Sequence, residues 1–146
     1  MIRQATLDDI LKILPLVEKF SKEIGDEYLA KNYNKKYAAA LLANCINTGV
    51  CFVSDEDGRI TGVVAGTVTG NLWNPNKKQA DEQIYYVLPD RRGSSIGLRL
   101  IRKYCEAASR YDLSTLKLMK SSPELDKHYE KWGYHYLEKT FVRYSE

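Results

Sequence analysis

"YYVLPDRRGSSIG", Tyr85 to Gly97, sets the reading of the whole chain. It begins inside an apolar stretch, Gln79 to Leu88, whose centre Ile84-Tyr85-Tyr86-Val87 reads as a β-strand that Pro89 stops. Beyond it, Ile101, Tyr104, Cys105 and Ala108 recur at helical spacing and predict a helix from about Ser95 to about Arg110. The segment between therefore joins a strand end to a helix start. The first amides of a helix have no internal partners, and its dipole end favours anions. Gly93 and Gly97 let the backbone come close to a ligand, the serines do not obstruct it, and Arg91 and Arg92 add positive charge. A pyrophosphate suits such a nest. The alternative reading of the same residues is a solvated turn with a flexible cap. No Gly-Lys-Ser/Thr follows, which excludes a Walker loop, and the spacing differs from a dinucleotide fingerprint.

Toward the N-terminus, Thr6 is a helix cap with Asp8 and Asp9 in the first turn, and Ile10, Ile13, Leu14 and Val17 form a helical face. Pro15 removes a backbone donor there and is expected to kink or divide the helix. Ser21 to Asn34 reads as a loop or a short second helix. A further helix is expected over Lys35 to Ile46, with Tyr37, Leu41 and Cys45 on one side and Gly49 at its end. Val50 opens a strand, "DEDG" (Asp55 to Gly58) makes a turn, and Ile60 to Thr69 is the hairpin partner. Gly70 to Lys78 is a polar loop carrying Trp73. Past the central helix, "LSTLKLM" alternates as a strand would. "SSPELDKHYEKW" reads as a helix with Ser122 as cap, Pro123 at the first position and Gly133 as its stop. Tyr134 to Tyr144 again alternates and predicts a final strand or hairpin. This order implies an α/β (α+β) fold: one domain over residues 1–146, with a mixed central sheet flanked by helices on both faces.

Composition narrows the function classes. A chain of 146 residues, 44% hydrophobic and 28% charged, can bury a full core without metal or disulfide staples. Its net charge of +3 comes with basic clusters no longer than pairs, which argues against a nucleic-acid partner. Cys45, Cys51 and Cys105 lack metal-ligand spacing, and His128 and His135 have no accompanying cysteine cluster, so no metal is expected. Three apolar-context thiols fit a reducing, cytoplasmic setting. A charged N-terminus and short apolar runs argue against a signal peptide and a membrane span.

The chain resembles the GNAT family of N-acetyltransferases. Arg92-Gly93-Ser94-Ser95-Ile96-Gly97 is similar to the family's Arg/Gln-x-x-Gly-x-Gly/Ala signature, with Ser95 where the family carries glycine. "YYVLPD" resembles the strand that precedes it, "IRQATLDDI" (Ile2 to Ile10) the family's opening, and "HYEKWGY" (His128 to Tyr134) its C-terminal segment. The resemblance covers nearly the whole chain and implies an acyl-CoA N-acyltransferase fold. It also implies transfer of an acetyl group from acetyl-coenzyme A to a primary amine, by direct attack in a ternary complex. Backbone groups of Tyr85, Tyr86, Val87 and Leu88 would hold the pantetheine arm, and Arg92, Gly93, Ser94, Ser95, Ile96 and Gly97 the pyrophosphate. Tyr129 matches the general acid. Glu82 is preferred as base over Asp81, with Glu23 and Glu27 as alternatives. The acceptor, a small-molecule amine or a protein amine, would meet Tyr28, Tyr33 and Trp73, with Asp26 and Glu27 attracting a polyamine, an aminoglycoside or an amino terminus. The competing reading is a catalytically inactive acyltransferase-like binding or regulatory module; Ser95 weighs toward it and Tyr129 against it. The aromatic C-terminal strands would suit a homodimer.

Overall fold

Five strands lie side by side in chain order in a computed structural model that describes residues 1–119 and 122–145. They are β1 (Ile2–Gln4), β2 (Val50–Glu56), β3 (Arg59–Gly70), β4 (Lys78–Val87) and β5 (Leu113–Thr115). β1 to β4 are antiparallel, whereas β5 joins β4 in parallel, so the sheet is mixed. The β2–β3 hairpin turns on Asp57 and Gly58, both at positive φ (53° and 90°), the geometry that Asp-Gly favours.

The helices are α1 (Ile10–Glu23), α2 (Glu27–Lys31), α3 (Lys35–Thr48), α4 (Ile96–Ala108) and α5 (Leu125–Lys131). α1 and α3 cover one face of the sheet, where Ile13, Leu14, Leu42 and Cys45 pack with Val53, Val63, Ala65, Ile84 and Tyr86. α4 covers the other face with Leu100, Ile101, Tyr104 and Ala108, all essentially without exposure. The chain divides into two compact units, Met1–Thr115 and Leu116–Glu146. The sheet and α1 to α4 belong to the first, and α5 to the second. No helix among the described residues is long and apolar enough to cross a membrane.

An ion-pair cluster fastens the start of the chain. Arg3 donates two 2.8 Å bonds to Asp9 and two further bonds to Asp55, and the Thr6 amide donates to Asp9 at 2.8 Å. Asp9 is only 5% exposed. The Arg3 bonds outweigh the upward push of burial and hold its carboxyl at about 2.

Several elements differ from expectation. α1 runs through Pro15 undivided. Pro15 sits on the exposed side, and the carbonyl left without its donor belongs to Leu11, itself 78% exposed, so water can satisfy it. α3 buries Ala38, Leu42 and Cys45, and Tyr37 points outward at 69% exposure. α5 starts at Leu125, later than the Pro123 start expected; Ser121, within the segment expected to be helical, lies outside the described residues. β5 ends at Thr115, and among the described residues Tyr134 to Tyr144 adopts no strand.

Candidate functional site

β4 outruns its parallel neighbour. Gln79, Ala80 and Asp81 pair with Leu113, Ser114 and Thr115, whereas pairing with β3 continues to Val87. A bulge marks the departure: Ala65 faces Ile84 and Gly66 faces Glu82, so Gln83 is the extra residue. Past the bulge, the Leu88 amide donates to the Thr61 carbonyl at 2.9 Å, and Gly62 faces Val87. Alternation in an antiparallel ladder then turns the backbone groups of Val87 and Tyr85 away from β3, toward the edge beyond β5's reach. Of the four residues expected to hold an extended arm, Tyr85 and Val87 present their backbones to that edge. Tyr86 and Leu88 turn theirs to β3 and bury their side chains in the core.

The segment after β4 forms a row of donors. A 3₁₀ turn over Pro89–Arg91 leads to extended Arg92, then to Gly93 at φ +83° and the start of α4. Among the described residues, the amides of Gly93, Ser94, Ser95, Gly97 and Leu98 have no protein acceptor. That of Ile96 reaches Ser94 Oγ at 3.3 Å, and the first helical bond runs from Arg99 to the Ser95 carbonyl. Unpaired amides at the positive end of a helix suit an anion such as a pyrophosphate.

The two glycines serve different ends. Gly93 supplies the positive φ, with open space around it. Gly97 admits Tyr85, whose hydroxyl would lie 2.9 Å from a Cβ placed there. Ser95 is right-handed (φ −76°, ψ −3°), exposed, and makes no capping bond, so a side chain at this position meets no backbone strain.

The arginine side chains, expected to add positive charge, are each paired with carboxylates. Arg91 pairs with Glu56 at 2.8 Å and with Asp90 at 3.3 Å. Arg92 pairs with Glu23 at 2.6 Å, donates from Nε to the Val87 carbonyl at 2.9 Å, and stacks 5.1 Å from the Tyr86 ring centre. The Tyr86 hydroxyl donates to the other Glu23 oxygen at 2.8 Å. Burial alone would raise the Glu23 carboxyl; the bonds from Arg92 and Tyr86 override it and hold it below its ordinary value.

Among the other carboxylates, Glu82 is 4% exposed. It lies opposite Gly66, where an added Cβ would strike Tyr104 of α4, so Glu82 is on the α4 face. Burial pushes the Tyr85 phenol up, and the charge of Glu82 adds to it. Asp81 accepts 2.6 Å bonds from Gln79 and Thr115, which ties it to the β4–β5 junction. Glu27 is exposed in the first turn of α2, and Asp26 caps that helix by accepting from the Leu29 amide. Tyr28 and Tyr33 are half-buried, and Trp73 is 88% exposed. In the second unit, Tyr129 is buried on α5, its ring centre 6.3 Å from that of Trp132 and 6.4 Å from that of Tyr134. No group of metal-ligating side chains occurs among the described residues.

Residues 47–136 match the model of the acetyltransferase (GNAT) domain. Solved structures superpose over nearly the full chain. One is a ribosomal-protein-alanine N-acetyltransferase from Brucella melitensis biovar Abortus 2308, with a TM-score of 0.74 and 18% identity, covering 99% of this chain and 97% of that one. Another, from Clostridium acetobutylicum, is described as a predicted acetyltransferase with acetyl-CoA; its TM-score is 0.76 at 16% identity, covering 99% and 95%. A third, an aminoglycoside acetyltransferase from an uncultured soil metagenomic sample in complex with trehalose, has a TM-score of 0.70 at 16% identity, covering 100% and 95%. At such identities the likeness establishes the fold, a mixed sheet flanked by helices of the acyl-CoA N-acyltransferase type. No curated protein matches the chain.

Proposed function

Because the chain belongs to the GNAT acetyltransferase family, whose domain model spans residues 47–136, we propose that it is an N-acetyltransferase using acetyl-coenzyme A. It transfers the acetyl group to a primary amine by direct attack in a ternary complex. The observation that carries this reading is continuity: the edge of β4 at Tyr85 and Val87, which β5 does not pair, runs directly into the amide row from Gly93 to Leu98. Amide groups of a pantetheine arm find strand-like partners on that edge, and a pyrophosphate finds the amide row. Coenzyme A, as cosubstrate, supplies an acyl thioester.

The residues divide the remaining work. A backbone amide on the β4 edge polarises the thioester carbonyl. Glu82 takes a proton from the acceptor ammonium, directly or through a water, so that the attacking nitrogen is neutral. As the nitrogen–carbon bond forms and the carbon–sulfur bond breaks, Tyr129 donates a proton to the departing thiolate, and the second proton that the nitrogen sheds on becoming an amide returns through solvent to the phenolate. The acceptor is a small-molecule amine or a protein amine. The two neighbours with named acceptors, an aminoglycoside and a ribosomal-protein alanine, support that class. The setting is cytoplasmic, and the chemistry calls for no metal.

Thiol release from acetyl-coenzyme A, measured against a panel of polyamines, aminoglycosides and peptide amino termini, tests this reading. Amine-dependent release is expected, with Glu82→Gln and Tyr129→Phe each lowering kcat by about 10²-fold. An unchanged kcat in Tyr129→Phe at saturating acetyl-coenzyme A removes its acid role. Binding of coenzyme A without release to any amine supports the inactive module instead.

A further inference from the structure

Arg92 does more than open the motif. Its Nε caps the Val87 carbonyl at 2.9 Å, and that carbonyl belongs to the β4 edge that β5 leaves uncovered. Its Nη2 reaches Glu23, the last residue of α1, and its guanidinium lies on the Tyr86 ring. Tyr86 closes the circuit by donating to the same carboxylate. One carboxylate thus fixes the position of a side chain that spans both halves of the carrier site: Arg92 begins the turn into the amide row, and its guanidinium sets the end of the strand edge. The fork of an arginine permits this double attachment, Nε to a carbonyl and Nη2 to a carboxylate, where a lysine has one ammonium to place. Both ends of the ion pair are partly exposed (47% for Arg92 and 41% for Glu23), so the pair adds little to global stability, and its effect is local geometry.

We infer that Glu23 is a positioning residue for the carrier site: through Arg92 it holds the Val87 carbonyl and the turn into α4 in one arrangement. It also ties that arrangement to the end of α1, where the chain enters the Gly25 turn toward α2. The inference rests on the proposed acetyl-coenzyme A site for its effect on binding, but not for its effect on the free protein.

The test is a double-mutant cycle read in two ways. Arg92→Gln supplies the residue that the family signature also admits and removes the guanidinium that Glu23 holds. By calorimetric titration with coenzyme A, Glu23→Ala weakens binding about fivefold, and in the Arg92→Gln background the same substitution adds nothing. In turnover with an active amine, Glu23→Ala raises KM for acetyl-coenzyme A and leaves kcat within about twofold. Equal affinity in Glu23→Ala, multiplicative effects in the cycle, or a collapse of kcat overturns the inference; the last would mark Glu23 as a participant in chemistry. If the unaltered protein binds no coenzyme A, the functional proposal fails, and the clasp is judged by amide hydrogen exchange of the ligand-free protein. Exchange of the hydrogen-bonded amides of Leu88, Arg91 and Arg92 then accelerates about fivefold in Glu23→Ala. Unchanged exchange overturns it.

Discussion

Replacing Gly93 with alanine separates the shape of the amide row from its charge. Gly93 sits at φ +83°, and a Cβ built on it meets no atom within 4 Å. The substitution therefore introduces no clash, and its whole cost is conformational: about 1 to 2 kcal/mol for an L-residue held in the left-handed region. The protein has two responses. It can keep the turn and lose that amount of stability, or it can relax Gly93's position to negative φ and rotate the amides of residues 93 and 94 out of the row. In the second case coenzyme A affinity falls about tenfold, as expected for the loss of one or two charge-assisted bonds to a phosphate. Urea unfolding and calorimetric titration with coenzyme A, run on the same preparation, measure both responses. The expected outcome is a drop in one or both, with the folded protein otherwise intact. Alanine that leaves stability and affinity both unchanged would refute the role assigned to this turn.

Three further outcomes follow from individual contacts. Asp9, held at about 2 against an ordinary 3.8, favours the folded state above pH 3.8 and loses that contribution as pH falls toward 2. Asp9→Asn should therefore cost about 2 kcal/mol at pH 7, and the difference should shrink to near zero around pH 2; urea titrations across that range show the trend, and a pH-independent difference contradicts it. Pro15→Ala restores a donor for the Leu11 carbonyl inside α1 and should stabilise the protein by about 1 to 2 kcal/mol, after the gain in unfolded-chain entropy is offset, as read by the urea midpoint. Ser95→Gly should leave coenzyme A affinity within about threefold, because the serine backbone is already right-handed and unstrained; a larger gain would show that the hydroxymethyl crowds the ligand.

What the sequence disclosed was local. The strand that Pro89 ends, the Asp57–Gly58 hairpin and the stop at Gly133 are each written in a few neighbouring residues, and each forms where expected, whereas Thr6 precedes a 3₁₀ turn (Leu7–Asp9) and α1 starts after it at Ile10. The strand–nest–helix succession was legible for the same reason. Contacts between distant residues were not. Arg91 and Arg92 look like free charges in sequence because Glu56 and Glu23 lie 35 and 69 positions away. The Gln83 bulge carries no glycine or proline to announce it, yet it sets which backbone groups of β4 face the edge that β5 does not pair. On α3, the spacing that picks Tyr37, Leu41 and Cys45 is one residue out of phase with Ala38 and Leu42, because packing against the sheet, not period, decides which stripe is buried. Gly97 was legible as the last position of the family signature, but the reason for it, the Tyr85 hydroxyl, needed the packed helix.

The most direct measurement is an amide hydrogen-exchange footprint of coenzyme A on the intact protein. Protection concentrated in Tyr85 to Leu88 and Gly93 to Leu98, with little change in β1, β2 and α3, is the expected result, since those two segments supply the strand edge and the amide row. Protection elsewhere, or none at millimolar coenzyme A, would contradict the assignment of this site.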